Sequence, residues 1–254
     1  MALADTGGAA GMVATLVSLY GRADVPGRIA LDNWPGPRAG HRIYRLAPVA
    51  RLADAQSVAQ VAGNLLVGAP AAWAISRLRF RGRSMVRGLY IVLMLLPFQV
   101  TMVPSYLVLR QFGLLDTPWA IILPGIFSTF PVFIMERGFD TIPREVLESA
   151  SIDGANQWQR FWRIGIPLGI PGLISALTLG FLDAWNAIEQ PMTFLESPQY
   201  WPLSLFFTDP ANLDTKQLGL AMAASLWMLL PSILVFRFGQ TYLEAGLTKG
   251  AVKG

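Results

Sequence analysis

The chain contains five long stretches without any Asp, Glu, Lys or Arg, and these stretches limit what it can fold into. They cover residues 55–76, 88–109, 117–135, 164–182 and 217–236, and each holds 19 to 22 residues rich in Leu, Ile, Val, Ala and Phe. A helix needs about 20 apolar residues to cross the roughly 30 Å hydrocarbon core of a bilayer, and it satisfies its own backbone groups in lipid. We therefore expect an all-α integral membrane protein with five clear transmembrane helices, kinked where the stretches contain proline.

The composition also favours a membrane protein over a soluble one. Only 14% of the 254 residues are charged, against about 25% in soluble domains, and 53% are hydrophobic. A soluble chain of this length would need more charged side chains to cover its surface. The chain has no cysteine, which excludes disulfides, thiolate metal sites and cysteine nucleophiles.

The positions of the basic residues predict an orientation. Twelve Lys and Arg lie between the first and second stretches, between the third and fourth, and in the C-terminal tail, whereas the alternate links hold only Arg110 and Lys216. Because basic loops stay on the cytoplasmic side, we expect a multi-pass membrane protein with a cytoplasmic C-terminus. Basic residues that alternate with spans are interpreted as anchors to membrane lipid, and no nucleic-acid partner is expected.

Residues 1–54 are interpreted as a separate N-terminal segment. Within it, residues 6–21 carry no charge but number only 16, which is short for a span. We expect a short or incomplete sixth helix there, followed by an external loop. A signal-peptide core is the alternative, although no basic residue precedes it. The remaining residues, 55–254, are expected to form one transmembrane domain.

The longest predicted cytoplasmic segment, residues 141–167, has the sequence TIPREVLESASIDGANQWQRFWRIGIP. A short helix is predicted to end at Gly154, and a second short helix follows it. The second helix would present three aromatic side chains on one face, those of Trp158, Phe161 and Trp162. Small residues near a glycine turn allow another backbone to approach, and exposed aromatic side chains offer an apolar anchor. The pattern therefore predicts a docking element for a partner protein.

The spacing of this segment resembles the EAA loop of the inner-membrane permease subunits of ABC importers. That loop has the pattern E-A-A, three residues, G, nine residues, I-x-L-P, and this chain keeps the spacing with Ser149 in place of Ala and Ile166 in place of Leu. The stretches RLRFRGR at 77–83 and GLTKGAVKG at 246–254 are similar to the carbohydrate-uptake, MalG-like branch of the family. The residues that carry the loop match are Glu148, Ser149, Ala150, Gly154, Ile164, Ile166 and Pro167.

The resemblance implies a type I ABC importer permease fold in which residues 141–167 couple transport to a separate ATPase. It implies three protein partners: a second permease subunit, an ATP-binding cassette ATPase dimer and an extracytoplasmic solute-binding protein. It also implies import of a sugar or oligosaccharide, with this chain forming half of the translocation pathway. The residues to which the resemblance gives a coupling role are Glu148, Ser149, Ala150, Asp153, Gly154, Ala155, Phe161 and Pro167.

Two other transport functions are weighed against this one. An ABC importer for a phosphorylated polyol, a peptide or an amino acid is the nearest alternative. A secondary transporter ranks lower, because the spans are nearly bare of mid-span polar groups and do not repeat.

An enzyme is not expected from the sequence. The chain has one histidine, His41, and contains neither an H-E-x-x-H motif nor the phosphate-binding pattern G-x-x-x-x-G-K-[ST]. We therefore expect no catalytic site, no metal site and no cofactor in this chain. The resemblance implies that ATP and Mg²⁺ are bound by the partner ATPase.

Three residues at the end of the fourth stretch are candidates for the substrate pathway. Trp185 and Asn186 could stack on and hydrogen bond to a sugar ring, and Asp183 borders the span beside them. The alternative for the pair is an interfacial aromatic residue next to a helix-packing amide. For Asp183 the alternative is an interfacial or capping carboxylate.

Overall fold

The structure is a computed structural model that describes residues 37–206 and 218–251, and within these ranges every regular element is helical. A π-helical turn, Phe161–Gly165, joins the helices Gln157–Arg160 and Ile166–Asn186, and a 3₁₀ turn, Pro198–Tyr200, precedes the helix Leu203–Phe206. The predicted helix at 6–21 lies outside the described residues. In chain order the helices are α1 (Pro37–Arg77), α2 (Arg83–Leu95), α3 (Phe98–Gln111), α4 (Trp119–Ile126), α5 (Thr129–Asp140), α6 (Arg144–Ile152), α7 (Gln157–Arg160), α8 (Ile166–Asn186), α9 (Glu189–Phe194), α10 (Leu203–Phe206) and α11 (Leu218–Ala251).

Three helical segments are long and apolar enough to cross a membrane: Ala55–Arg77, Trp119–Asp140 and Gln157–Asn186. Helices α2 and α3 make a fourth if they are counted as one span, although they meet at an angle of 103°. The helical membrane architecture is thus confirmed, whereas the prediction of five clear spans is not, since the described residues support three or four. The fifth predicted stretch falls within α11.

Helix α1 is longer than the sequence suggested. It runs through the predicted boundary at residue 54 without a break, because it begins at Pro37 and ends at Arg77. Its C-terminal part, Ala55–Arg77, is the part that has the length and hydropathy of a span.

The centre of the bundle is a close contact between α5 and α8 in which glycine faces glycine. A Cβ atom built on Gly138 would lie 2.6 Å from the Cα of Gly172, so the two backbones touch as they do at small-residue interfaces in membranes. Helix α1 packs against both α5 and α8, and α11 packs on α8. A buried cluster of Trp73, Phe139 and Phe161 joins the three helices, with ring centroids 5.3 to 6.3 Å apart.

Two of the membrane segments are broken. The residue before a proline is disfavoured in the helical conformation, and the bend between α2 and α3 falls at Pro97. The break between α4 and α5 is held by Asn64 of α1, whose Nδ2 donates to the carbonyls of Ile126 at 3.0 Å and Ser128 at 3.1 Å. Irregular backbone is tolerated at membrane depth when protein groups satisfy it, and Asn64 does so here.

Candidate functional site

Helix α6 and the turn after it form the part of the chain that resembles the EAA loop. Pro143 lies at the N-cap, and the helix ends at Ile152. Gly154 then has φ +81°, a left-handed conformation that L side chains rarely adopt. The N–H of Ala155 donates to the carbonyl of Ala150 at 2.9 Å, which closes the helix C-terminus. The predicted first helix and its glycine stop are confirmed.

The outer face of α6 is exposed. Glu148, Ser149, Asp153 and Gly154 are all exposed, and Ile152 at the tip is 87% exposed. Ile152 is the most exposed large hydrophobic side chain among the residues whose side chains the structure describes.

The inner face of the loop is anchored to the bundle. Leu147 of α6 and Phe161 in the π-turn are buried in the core cluster with Phe139. This corrects the prediction for Phe161, which we expected on an exposed face with Trp158 and Trp162. Only the two tryptophans are exposed, because the π-turn directs Phe161 into the bundle while it continues the helix into α8.

The two short helices of the loop are also tied to each other. The side chain of Asn156 accepts from the N–H of Gln159, whose side chain accepts from the N–H of Asn156, both at 2.8 Å; this capping box starts α7. The guanidinium of Arg160 donates to the hydroxyl of Ser151 at 2.6 Å. The loop is therefore a folded unit rather than a loose connection. Pro167 lies at the second position of α8, as predicted for the start of the next span.

A charged network fixes the end of α5 where the loop begins. Arg87 of α2 donates to Glu136, whose side chain is buried with 2% exposure. The Nη2 atom of Arg87 also lies 2.9 Å from Oδ2 of Asp140. The hydroxyl of Ser76 donates to Oδ1 of Asp140 at 2.6 Å. Arg77 donates to backbone carbonyls at the end of α5. Helices α1, α2 and α5 are thus joined beside the loop.

The three candidates for the substrate pathway lie in different surroundings. Trp185 is buried, stacks on Phe181 with centroids 5.7 Å apart, and donates from Nε1 to the carbonyl of Met228 at 2.9 Å. Asn186 is exposed, and its Nδ2 donates to the carbonyl of Leu182 at 2.7 Å. Asp183 lines a cavity. Trp185 is packed against Phe181 and Met228 inside the bundle, and of the three candidates only Asp183 lines the cavity.

Sequence reasoning missed a polar face on α1. Gln56, Gln60 and Asn64 are buried and occur every four residues, which places them on one side of a helix. The spacing was visible in the sequence, but a search for charge-free stretches counts amides as neutral and passes over them. Polar groups buried at membrane depth mark functional positions by default.

Metal binding finds no support in the described part of the chain. Within those residues, no group of three or more His, Asp or Glu side chains could hold a metal ion.

Comparison with known families agrees with the fold. Residues 64–249 match the family described as the binding-protein-dependent transport system inner membrane component. The chain belongs to this family, and it is a multi-pass permease subunit of an inner-membrane ABC importer. It is a transporter component rather than an enzyme, and ATP hydrolysis belongs to a separate ATPase chain.

Individual relatives and a solved structure agree as well. The chain is 33% identical over 192 residues to the inner membrane ABC transporter permease protein YcjP of Escherichia coli, covering 75% of this chain and 69% of that protein. It is 32% identical over 203 residues to the diacetylchitobiose uptake system permease protein DasC of Streptomyces coelicolor, covering 78% and 72%. A bacterial ABC transporter involved in the import of the acidic polysaccharide alginate contains a chain with a TM-score of 0.66 and 26% identity, covering 77% and 74%.

Proposed function

We propose that this chain is the permease subunit of an importer for a sugar or oligosaccharide. Relatives named for diacetylchitobiose, trehalose and arabinooligosaccharide transport support the substrate class. A second permease, an ATPase dimer and an extracytoplasmic binding protein complete the transporter, and this chain forms half of the pathway.

The observation that carries the coupling role is the construction of the loop between α5 and α8. Its outer face, with Glu148, Gly154 and the tip at Ile152, is exposed, while its inner face is fixed in the core by Leu147 and Phe161. A partner that pushes on the exposed face moves α5 and α8 with it, because the loop is packed onto both. The exposed members of the proposed ATPase contact are Glu148, Ser149, Asp153 and Gly154, with Ala150 and Ala155 half-buried and Phe161 and Pro167 placing the loop.

The same arrangement supports the predicted orientation. Arg77 at the end of α1 and Arg87 of α2 contact the end of α5 beside the loop. Arg83, at the start of α2, donates to the carbonyl of Ile75 in α1. Basic links that gather at one end of a bundle are expected on the cytoplasmic side. We place the loop and the C-terminus in the cytoplasm on this basis.

A pull-down tests the proposal directly. The tagged chain is expressed with its neighbouring genes and purified in detergent, and the companions are identified by mass spectrometry. We expect an ATPase to be recovered with the natural chain and lost with Glu148→Lys or Gly154→Asp, with all chains inserted at normal levels. Glu196→Lys, the same charge reversal at an exposed carboxylate remote from the loop, is the control and should retain the ATPase.

Uptake in cells gives the second readout. Both loop variants should lose solute accumulation while Glu196→Lys keeps it. Normal uptake by Glu148→Lys and Gly154→Asp at normal expression would contradict the coupling role.

A further inference from the structure

A cavity of about 340 Å³ lies where both broken segments meet α1 and α8. Small-molecule pockets occupy about 300–1,000 Å³, so it is large enough for a ligand. Among its lining residues are polar side chains from five helices, namely Gln60, Thr101, Ser105, Thr129, Asp183 and Gln190.

The cavity lies toward the end of the bundle opposite the loop. Helix α4 has eight residues between its start and the break, which corresponds to about 12 Å at the rise of an α-helix. Helix α5 then runs twelve residues from the break to the coupling loop. Broken helices around a polar space inside the membrane are the usual setting of transporter binding sites.

Two side chains at the cavity are buried with unused hydrogen-bonding capacity. Gln60 is 6% exposed and Asn64 is 3% exposed. Within the described residues, Nε2 of Gln60 and Oδ1 of Asn64 have no hydrogen-bond partner. A buried polar group without a partner destabilises the fold, so each of these side chains has hydrogen-bonding capacity that the described chain does not use.

The described residues that line the cavity carry negative charge only. Asp183 is its only charged residue, and no Lys or Arg from the described part of the chain lines the space. Hydroxyl and amide groups both donate and accept hydrogen bonds, so they suit the hydroxyls of a sugar. A lone carboxylate accepts from hydroxyls and repels an anion.

We propose that this cavity is a binding site for a neutral saccharide unit, in which Gln60 and Asp183 bind hydroxyls, Asn64 positions the adjoining helix break, and Asp183 excludes acidic sugars. The site rests on the proposed function, which it narrows from sugars in general to uncharged ones. It also gives this subunit a charge preference opposite to what an acidic polysaccharide would require.

The first test measures the charge of the cavity without any sugar. Because the natural chain lacks cysteine, Ser105→Cys places one thiol in the cavity of the transporter assembled with its companions in lipid nanodiscs. Its reaction with cationic trimethylammonioethyl and anionic sulfonatoethyl methanethiosulfonate is followed on this chain by mass spectrometry, with each rate normalised to that of a small thiol in solution. We expect a preference for the cation that falls at least about tenfold in Asp183→Asn. Ser84→Cys, at an exposed position near the start of α2 that does not line the cavity, is the control reporter, and its preference should not respond to Asp183→Asn.

The second test measures occupancy with trehalose and diacetylchitobiose as neutral probes and a galacturonate trisaccharide as the acidic probe. A neutral probe should slow labelling of Ser105→Cys, and the acidic probe should do so only with Asp183→Asn present. Gln60→Ala should raise the concentration for half protection by about five- to tenfold, the value of one hydrogen bond. Gln56→Ala is the matched control, since Gln56 lies on the same face of α1 but donates to the carbonyl of Tyr200 at 3.2 Å and does not line the cavity.

Each contrary result overturns a defined part of the inference. A thiol that no hydrophilic reagent reaches means a cavity closed by lipid or packing and overturns the site. Labelling without protection by any probe also overturns the site. Equal protection by acidic and neutral probes in the natural chain overturns the role of Asp183. ATP-driven uptake of the neutral probes by the same transporter measures the proposed function separately. Protection without uptake would contradict the proposed function and leave the site standing, whereas uptake without protection would overturn the site alone.

Discussion

The glycine contact between α5 and α8 leads to a sharp prediction about stability. Gly138 and Gly172 face each other so closely that a Cβ built on either one meets the Cα of the other. Carbon atoms in contact normally lie about 3.5–4.0 Å apart, whereas the Cβ on Gly138 would lie 2.6 Å from Cα of Gly172. Because the obstacle is backbone, a side chain cannot turn away to make room, and the helices must separate.

We expect Gly138→Ala and Gly172→Ala each to lower the free energy of unfolding by about 1–3 kcal/mol, the usual cost of overpacking. Alanine stabilises a helix over glycine by up to about 1 kcal/mol, and this gain offsets part of the steric cost of the clash. The steric cost is therefore larger than the measured loss of stability by up to that amount. One separation of the helices relieves both clashes. The double variant should therefore lose less than the sum of the single variants, by about 0.5 kcal/mol or more.

Equilibrium unfolding in mixed micelles, followed by tryptophan fluorescence, measures these values. Gly88→Ala is the matched control, since a Cβ at Gly88 of α2 would have no atom within 4 Å. It should be neutral or stabilising by about 0.5–1 kcal/mol. Equal stability of Gly138→Ala and Gly88→Ala would refute the close contact, and strict additivity in the double variant would refute a shared displacement.

Three further predictions concern groups outside this contact. Arg87→Met should lower the free energy of unfolding by about 3 kcal/mol, because Glu136 is left buried and unpaired, and adding Glu136→Met should restore most of it; chemical unfolding of both variants checks this. Gly154→Asn should retain more uptake than Gly154→Val, since Asn tolerates a positive φ far better than a β-branched residue, and equal uptake would contradict the need for that conformation. The hydroxyl and the N–H of Ser197 donate to the carboxylate of Asp116 at 2.6 and 2.7 Å, and these hydrogen bonds lower the pKa of that carboxyl. The contact is therefore intact above the ordinary carboxyl pKa and weakens as the pH falls through the lowered pKa. Amide exchange at Ser197 should show a step at that pH in the natural chain and no step in Asp116→Ala.

The positions of the helices were predictable because apolarity along the chain reports burial in lipid. Arg87 and Glu136 limit the second and third stretches, and the structure shows that they are paired with each other. A search for charge-free stretches treats each as the end of a span. It therefore locates the apolar segments but cannot show that the guanidinium of Arg87 neutralises the carboxylate of Glu136.

The helix breaks were less predictable, since the apolarity of a segment does not determine the direction of the helix axis after a break. Pro97 indicated a kink, but the 103° angle between α2 and α3 depends on tertiary packing. The break between α4 and α5 depends on Asn64, which lies more than sixty positions away in the chain and donates to both sides of the break. A contact of this range leaves no local signal.

In the coupling loop, too, the local features were predictable from the sequence and the tertiary contacts were not. The spacing from Glu148 to Gly154 predicted a short helix and its stop, because capping and a left-handed glycine are local properties. The burial of Phe161 was not predicted, because it results from a π-turn that rotates the chain before α8. One inserted residue per turn is enough to move a side chain from the outer face to the core.

Helix α5 connects the two sites that the structure defines. It begins at the break held by Asn64 and ends at Asp140 beside the coupling loop, and its last turn is packed against α8 at Gly138. Twelve residues correspond to about 18 Å of rigid helix. Under the proposed coupling role, a displacement of the loop by the ATPase is transmitted along α5, because the helix is continuous and closely packed. It must reach the break, where the flanking backbone is held by one amide and adjoins the cavity. Under the proposed coupling role, the glycine contact and the break lie on one path from the loop to the cavity, so we expect Gly138→Ala to lower ATP-driven uptake as well as the stability of the fold.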